Sequence, residues 1–213
     1  VSGRKVGLET GDPRGFGNYD ELYAAFMKQI RYFVDMKVRV SNYIDRMFAK
    51  YAPATFLSLF IDDCIAKGRD YYNCGPRYNT TYIQCTGLGT ITDSLVTLKK
   101  HIFEDKRWSM DELLKAMADN FEGAEAMRQT ILNRTPFFGN DDEYADSIAV
   151  KVFDDLYDTI EGKPNTKGEC FHLNMLSTTC HVYFGKVMGA TPNGRLAGRA
   201  ISDGTSPSHG ADT

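Results

Sequence analysis

The stretch Thr80-Thr81-Tyr82-Ile83-Gln84-Cys85-Thr86-Gly87-Leu88-Gly89-Thr90-Ile91-Thr92-Asp93-Ser94-Leu95 decides the fold. Thr80 to Cys85 is β-branched and aromatic and alternates in polarity, which predicts a strand. Thr86 to Thr90 reads as a strand-to-helix loop. Thr92 is placed to cap a helix that carries Leu95, Leu98 and Ile102 at helical spacing. The loop holds a partial G-x-G pattern without the third glycine of a dinucleotide fingerprint, so a Rossmann reading has little support. Phe171 to Leu176 predicts a second strand, and the short apolar run Thr55 to Phe60 a third. Strands separated by helices argue for an α/β architecture with interior strands. Few strands for so many residues suggests a helix-wrapped sheet or barrel, seen only in part.

The remaining segments are mostly helical. Gly7 to Gly15 is rich in turn formers and reads as a loop. Asn18 and Glu21 have the form of a capping box. Behind them Leu22, Phe26, Ile30, Phe33, Val40, Ile44 and Met47 recur at helical spacing, predicting a long amphipathic helix with room for one break, ending near Pro53. Such a stripe reads as core. A short helix after Asp62-Asp63 closes at Gly68. Ser109 with Glu112 forms a second capping box, before Leu113, Leu114 and Met117. A helix after Gly123 carries Met127 and Ile131. Asn140 to Glu143 opens another through Tyr144, Ile148, Val152, Leu156 and Ile160, its acids suited to the positive end of the helix dipole. Gly185, Gly189, Gly194, Gly198, Gly204 and Gly210 mark the C-terminal portion as loops and turns.

Composition excludes several classes. Of the 213 residues, 42% are hydrophobic and 25% charged, an ordinary globular mixture that can bury a core. The net charge of -3 comes without a basic patch, so no nucleic-acid partner is expected. No apolar run reaches the roughly 20 residues of a membrane helix, so no membrane partner is expected either. Cys64, Cys74, Cys85, Cys170 and Cys180 are odd in number and widely spaced, unlike a zinc site or a disulfide framework. Reduced thiols in a cytoplasmic protein fit best, and the two N-x-T sequons, at Asn79 and Asn133, then read as chance matches.

No metal site is expected. The acid cluster at Asn140 to Glu143 lacks the alternation and central glycine of an EF-hand. Asp62-Asp63, Asp141-Asp142 and Asp154-Asp155 fit helix starts or solvated faces better than an acid/base dyad. Cys180 and His181, if on a strand, point to opposite faces and do not engage each other. His101, His172 and His209 are possible distant partners, and the sequence selects none of them. The two unusual segments are Cys74 to Gln84 and Met175 to Phe184. Both place Tyr, Asn, Thr and Cys at strand ends, where α/β proteins commonly bind ligands.

Those segments also carry a resemblance. Gly7-Leu8-Glu9-Thr10-Gly11-Asp12-Pro13, Asp62-Asp63-Cys64-Ile65-Ala66-Lys67-Gly68, Arg77-Tyr78-Asn79-Thr80 and Gly87 to Leu95 are similar to ordered motifs of the glycyl radical enzymes. Asn120-Phe121-Glu122-Gly123, Gly139-Asn140-Asp141-Asp142 and Ala190-Thr191-Pro192-Asn193-Gly194-Arg195 continue the series. Within the family, Met175 to Gly185 resembles most the members that dehydrate trans-4-hydroxy-L-proline. Ser177 stands where those members have Pro, and Cys74 and Pro76 depart from the usual G-G-A-R-Y-N form.

The resemblance implies a partial ten-stranded α/β barrel of the pyruvate formate-lyase type, helix-rich, with residues 1–213 all part of that barrel domain. It implies an anaerobic lyase in which a cysteine thiyl radical, generated by a glycyl radical, abstracts hydrogen from substrate before water is lost. It also implies a radical-SAM activating enzyme, a homodimer, a small-molecule substrate and no other organic cofactor. The family's G-C-V-E and R-V-x-G-Y motifs are not in this sequence. By order of motifs the chain falls between them, so no residue here is assigned the thiyl, base or radical role, and the chain alone is expected to be inactive. Alternatives are a family member acting on glycerol or another diol, an isethionate-like compound, or pyruvate with coenzyme A, and a non-catalytic remnant or scaffold. In such a barrel Thr178, Thr179 and Tyr82 are the candidate substrate-binding residues, with Thr178 favoured, and Gln84 ranks below them. Arg77 is expected to pair within the scaffold.

Overall fold

The computed structural model describes residues 5–210. They cluster into two compact units. The first comprises the described residues of Val1–Glu9, Lys28–Ile83 and Leu156–Asn174, and the second Thr10–Met27, Gln84–Asp155 and the described residues of Met175–Thr213.

Helix α1 spans Tyr19–Tyr51 without a break. Asn18 Oδ1 accepts from the Glu21 amide at 2.9 Å, and Glu21 reaches back to the Gly17 amide at 2.8 Å, one residue beyond the box the sequence predicts. Leu22, Met27 and Val34 are buried, but Phe33, Val40, Ile44 and Met47 of the predicted core stripe are exposed. The helical periodicity is right, but it does not bury the second half of the stripe.

In the first unit, Thr55–Ser58 is the short helix α2, not the predicted strand. Four apolar residues cannot by themselves distinguish the two states, and Phe56 and Phe60, just past the helix end, meet edge to face with ring centroids 5.1 Å apart. Helix α3, Cys64–Lys67, starts at Asp63 in the left-handed region (φ 74°) and closes at Gly68 (φ 60°). Arg77 pairs with Asp63 at 3.1 Å, as expected for a scaffold role. This pair, with Lys67 at 3.6 Å, holds the Asp63 carboxyl below its ordinary value.

Strand β1 is Thr81–Gln84, and β2 is Phe171–Asn174. They pair in a two-stranded sheet. The Thr81 amide donates to the Cys170 carbonyl at 3.1 Å, so the N-terminal ends of the strands lie side by side. Ile83 and Phe171 are buried, whereas Tyr82 is 57% exposed. Below the strands, Asn165 donates to the Asn79 carbonyl at 2.7 Å and to Thr81 at 3.1 Å, and Glu169 accepts from the Asn79 amide at 2.9 Å. The Arg77 to Thr80 motif is thus bound into the loop that precedes β2.

In the second unit, α4 (Leu88–Thr97) begins at Gly87, whose φ of 90° suits glycine alone. Thr92 is therefore inside the helix and fully buried, not its cap. The helix continues as a π-helical segment, Leu98–Glu104. There the buried His101 meets the Thr135 hydroxyl at 2.9 Å, and burial pulls its pKa below the ordinary value. Helix α5 (Met110–Ala118) has the complete Ser109/Glu112 capping box; α6 is Glu125–Arg134 and α7 Glu143–Ile160. Helix α8, Cys180–Val187, follows β2. Several of the motifs that carry the resemblance coincide with backbone turns. Asp63, Asn120, Phe121 and Asp141 are four of the six non-glycine residues with positive φ among the described residues. Such positions cost energy and persist where surrounding contacts fix them. No described helix is long and apolar enough to cross a membrane.

Candidate functional site

Tyr82 falls in the first unit and Thr178 and Thr179 in the second, and each takes its setting from its own unit. Tyr82 stands on the exposed face of β1, its ring 5.7 Å from that of His172. Cys180 and His181 lie on α8, not on a strand, so the two-sided alternation considered for them does not apply. Thr179 is the residue before α8; it is exposed and its side chain caps nothing. Thr178 is half-buried. Its hydroxyl lies 2.7 Å from Cys180 Sγ, and its carbonyl lies 2.6 Å from His181 Nδ1. The Gln84 amide donates to the Leu176 carbonyl, which ties it to the same loop.

This loop rests on the glycine-rich C-terminal segment, which rests in turn on α4. The Thr90 amide donates to the Ser202 hydroxyl at 2.9 Å, and the Ser202 amide to the Thr90 hydroxyl at 2.8 Å. Asp93, fully buried, accepts from Ser208 at 2.5 Å and from the Phe138 amide at 2.9 Å. Burial pushes its pKa up to about 6, although both hydrogen bonds pull the other way. A Cβ on Gly204 would lie 3.1 Å from the Ser177 amide nitrogen, and one on Gly185 would strike the Arg199 carbonyl. The rings of His181 and His209 are 5.9 Å apart. Asp93 and Thr90 therefore position the segment against which Thr178 is set. Sequence reading missed both. The sequence places Thr90 in the loop before the helix and Asp93 at the helix start, and neither residue type marks its distant partner.

The second unit also holds a cavity of about 510 Å³, lined by Thr90, Arg128, Asn193, Arg195, Ser202 and His209 among others; Thr178 and Thr179 are not in its wall. Arg195 donates to the Thr191 hydroxyl at 3.1 Å and to the carbonyls of Leu196, Arg199 and Gly189. Burial pulls its pKa below the ordinary guanidinium value. These bonds tie the Ala190 to Arg195 motif to the residues on either side of it. No cluster of three or more metal-ligating side chains occurs among the described residues.

Helices around a two-stranded sheet, with turn motifs in this order, define a class, and comparison with known proteins names it. Residues 1–185 match the family model for pyruvate formate lyase-like proteins. The chain belongs to the pyruvate formate lyase-like family. It is 48% identical over all 213 residues to trans-4-hydroxy-L-proline dehydratase from Clostridioides difficile, of which it covers 27%. It superposes with a TM-score of 0.92 and 34% identity on a solved structure concerned with 1,2-propanediol dehydration in Roseburia inulinivorans, covering 99% of this chain and 27% of that one. It superposes with a TM-score of 0.88 and 32% identity on a glycyl radical enzyme from Archaeoglobus fulgidus, covering 96% of this chain and 26% of that one. The chain thus spans about a quarter of the length of the relatives it matches. These likenesses bear out the expected fold class, part of an α/β barrel of this family.

Proposed function

We propose that this chain is one portion of the barrel domain of a glycyl radical lyase that dehydrates trans-4-hydroxy-L-proline. The observation that carries the reading is the 48% identity to trans-4-hydroxy-L-proline dehydratase, sustained across the whole chain. The radical, carried by residues outside this sequence, supplies hydrogen-atom abstraction from the substrate. The residues present supply scaffold and one part of the pocket wall.

Thr178 is the favoured wall residue. Its hydroxyl can donate to a substrate carboxylate or accept from a substrate hydroxyl, and its carbonyl is already engaged by His181. Thr179, exposed and free of any capping role, and Tyr82, on an open strand face, are further candidates. The exposed apolar side of α8, with Tyr183 at 69% and Val187 at 84%, suits a helix that packs against the rest of such a barrel. The whole enzyme would work as a cytoplasmic homodimer on a small molecule, after a radical-SAM activating enzyme installs the radical. This chain alone would not turn over.

A second reading keeps the lyase and changes the substrate. Ser177, Cys74 and Pro76 depart from the hydroxyproline-dehydrating pattern in the two segments that carry the candidate residues, which favours a different small hydroxylated molecule such as a diol. Binding of trans-4-hydroxy-L-proline and of glycerol to the full-length protein, measured calorimetrically without activation, separates the two. Saturable binding of hydroxyproline that weakens in Thr178→Ala supports the first. Saturable binding of glycerol alone supports the second.

A further inference from the structure

In the first unit, Cys170, His172 and Glu161 form a connected thiol, imidazole and carboxylate. Cys170 Sγ lies 3.5 Å from His172 Nε2, and His172 Nδ1 is hydrogen-bonded to the Glu161 carboxylate. The arrangement follows from local folding. Cys170 and His172 are two residues apart entering β2, so they share a face, while the intervening Phe171 is buried on the other. Glu161 stands just beyond the end of α7. The Gly162 amide donates to the Phe171 carbonyl at 3.1 Å and the Phe171 amide to the Lys163 carbonyl at 2.7 Å, folding the loop so that Glu161 meets the strand.

The carboxylate fixes the imidazole. An ionised carboxylate only accepts, so Nδ1 carries the hydrogen, and a neutral ring then turns its Nε2 lone pair toward the thiol. That is the relation of nucleophile, base and orienting group that makes cysteine reactive. None of the other four cysteines has it. Cys64 is 2% exposed. Burial pushes the Cys85 thiol up. Cys180 faces a threonine hydroxyl, while the neighbouring His181 is turned to a carbonyl. Cys74 has no imidazole beside it.

We infer that Cys170 is a nucleophilic thiol, assisted by His172 and oriented through Glu161, that takes soft electrophiles and small disulfides as covalent partners. With a small disulfide, Cys170 gives its proton to His172 Nε2. Its sulfur then forms a bond to one sulfur of the disulfide as the S–S bond breaks. The departing thiolate takes the proton from His172, and no further oxidant is consumed. Cys170, His172 and Glu161 are all partly exposed in this chain.

The test uses the full-length protein, reduced and without activation, at one fixed neutral pH. Iodoacetamide and oxidised glutathione are the probes, and each cysteine peptide is followed separately by mass spectrometry. Cys170 is expected to react about tenfold faster than Cys74 or Cys180. His172→Gln is expected to slow Cys170 about tenfold and Glu161→Gln about threefold, with Cys74 and Cys180 unchanged as the check on folding. Equal or slower reaction of Cys170 than of Cys180 in the unmodified protein overturns the inference, whatever the variants do. An unchanged Cys170 rate in a folded His172→Gln variant overturns it as well. Neither readout depends on dehydratase activity, so the inference and the functional reading stand or fall separately.

Discussion

Thr178 Oγ1 lies 2.7 Å from Cys180 Sγ, across the junction where the loop after β2 becomes α8. The thiol and the hydroxyl hold each other, so Thr178 presents a fixed orientation instead of a freely turning rotor. If that hydroxyl contacts substrate, Thr178→Ala in the full-length enzyme loses one hydrogen bond to a polar or charged group, about 1.5–3 kcal/mol of binding, or at least a tenfold fall in kcat/KM. Thr178→Ser keeps most of the activity. Steady-state kinetics of both variants check this, and unchanged kinetics in Thr178→Ala remove the residue from the pocket.

The buried Asp93 carboxyl gives stability a pH dependence of definite sign. Its pKa rises from 3.8 to about 6 on folding, so the folded state holds the proton more tightly. The contribution favours folding below pH 3.8 and is lost as pH climbs toward about 6, by up to about 3 kcal/mol. Asp93→Asn can still accept from the Phe138 amide and can donate to Ser208. Denaturant melts of the full-length protein at pH 4 and pH 7 should therefore differ less for Asp93→Asn than for the native sequence. An identical difference contradicts the assignment.

Gly89 packs directly under the C-terminal segment. A Cβ there would sit 2.6 Å from the Ser206 carbonyl and 3.0 Å from the Ser208 amide nitrogen. Both obstacles are backbone, so neither can turn aside. Gly89→Ala is expected to cost about 2–4 kcal/mol and to lower the thermal midpoint, although alanine is ordinarily the better helix former. A neutral or raised midpoint would show that the segment does not lie where it is described.

The capping box of α5 offers a smaller, local test. Ser109 Oγ accepts from the Glu112 amide at 3.2 Å, and Glu112 accepts from the Ser109 amide at 2.7 Å. Ser109→Ala should destabilise by about 1 kcal/mol, with no change in kinetics.

What was legible in the sequence was what local chemistry controls. The Ser109 box, Gly68 closing α3 and the strands around Ile83 and Phe171 each follow from a few adjacent residues. The Thr55 to Phe60 run failed because four apolar residues carry no period long enough to tell strand from helix. Thr92 failed because the left-handed Gly87 starts α4 one turn earlier. The half of the α1 stripe that holds Phe33, Val40, Ile44 and Met47 has the helical period read from the sequence, but those four side chains are exposed, because periodicity sets a face and not its burial. In the candidate site, the Thr178 loop is proposed from its residue types. Its support was not legible, because Thr90 meets Ser202 and Asp93 meets Ser208 across more than a hundred residues. Cys170 and His172 sit two apart on a strand, a legible signal, but Glu161 joins them only through a folded loop.

The central claim is tested most directly by anaerobic activation of the full-length protein with a radical-SAM activating enzyme. Dehydration of trans-4-hydroxy-L-proline, glycerol and 1,2-propanediol is then assayed in parallel. The account predicts a product lighter by one water from hydroxyproline, with a kcat/KM at least tenfold above that for either diol. A preparation that carries the glycyl radical and dehydrates a diol but leaves hydroxyproline untouched would contradict it.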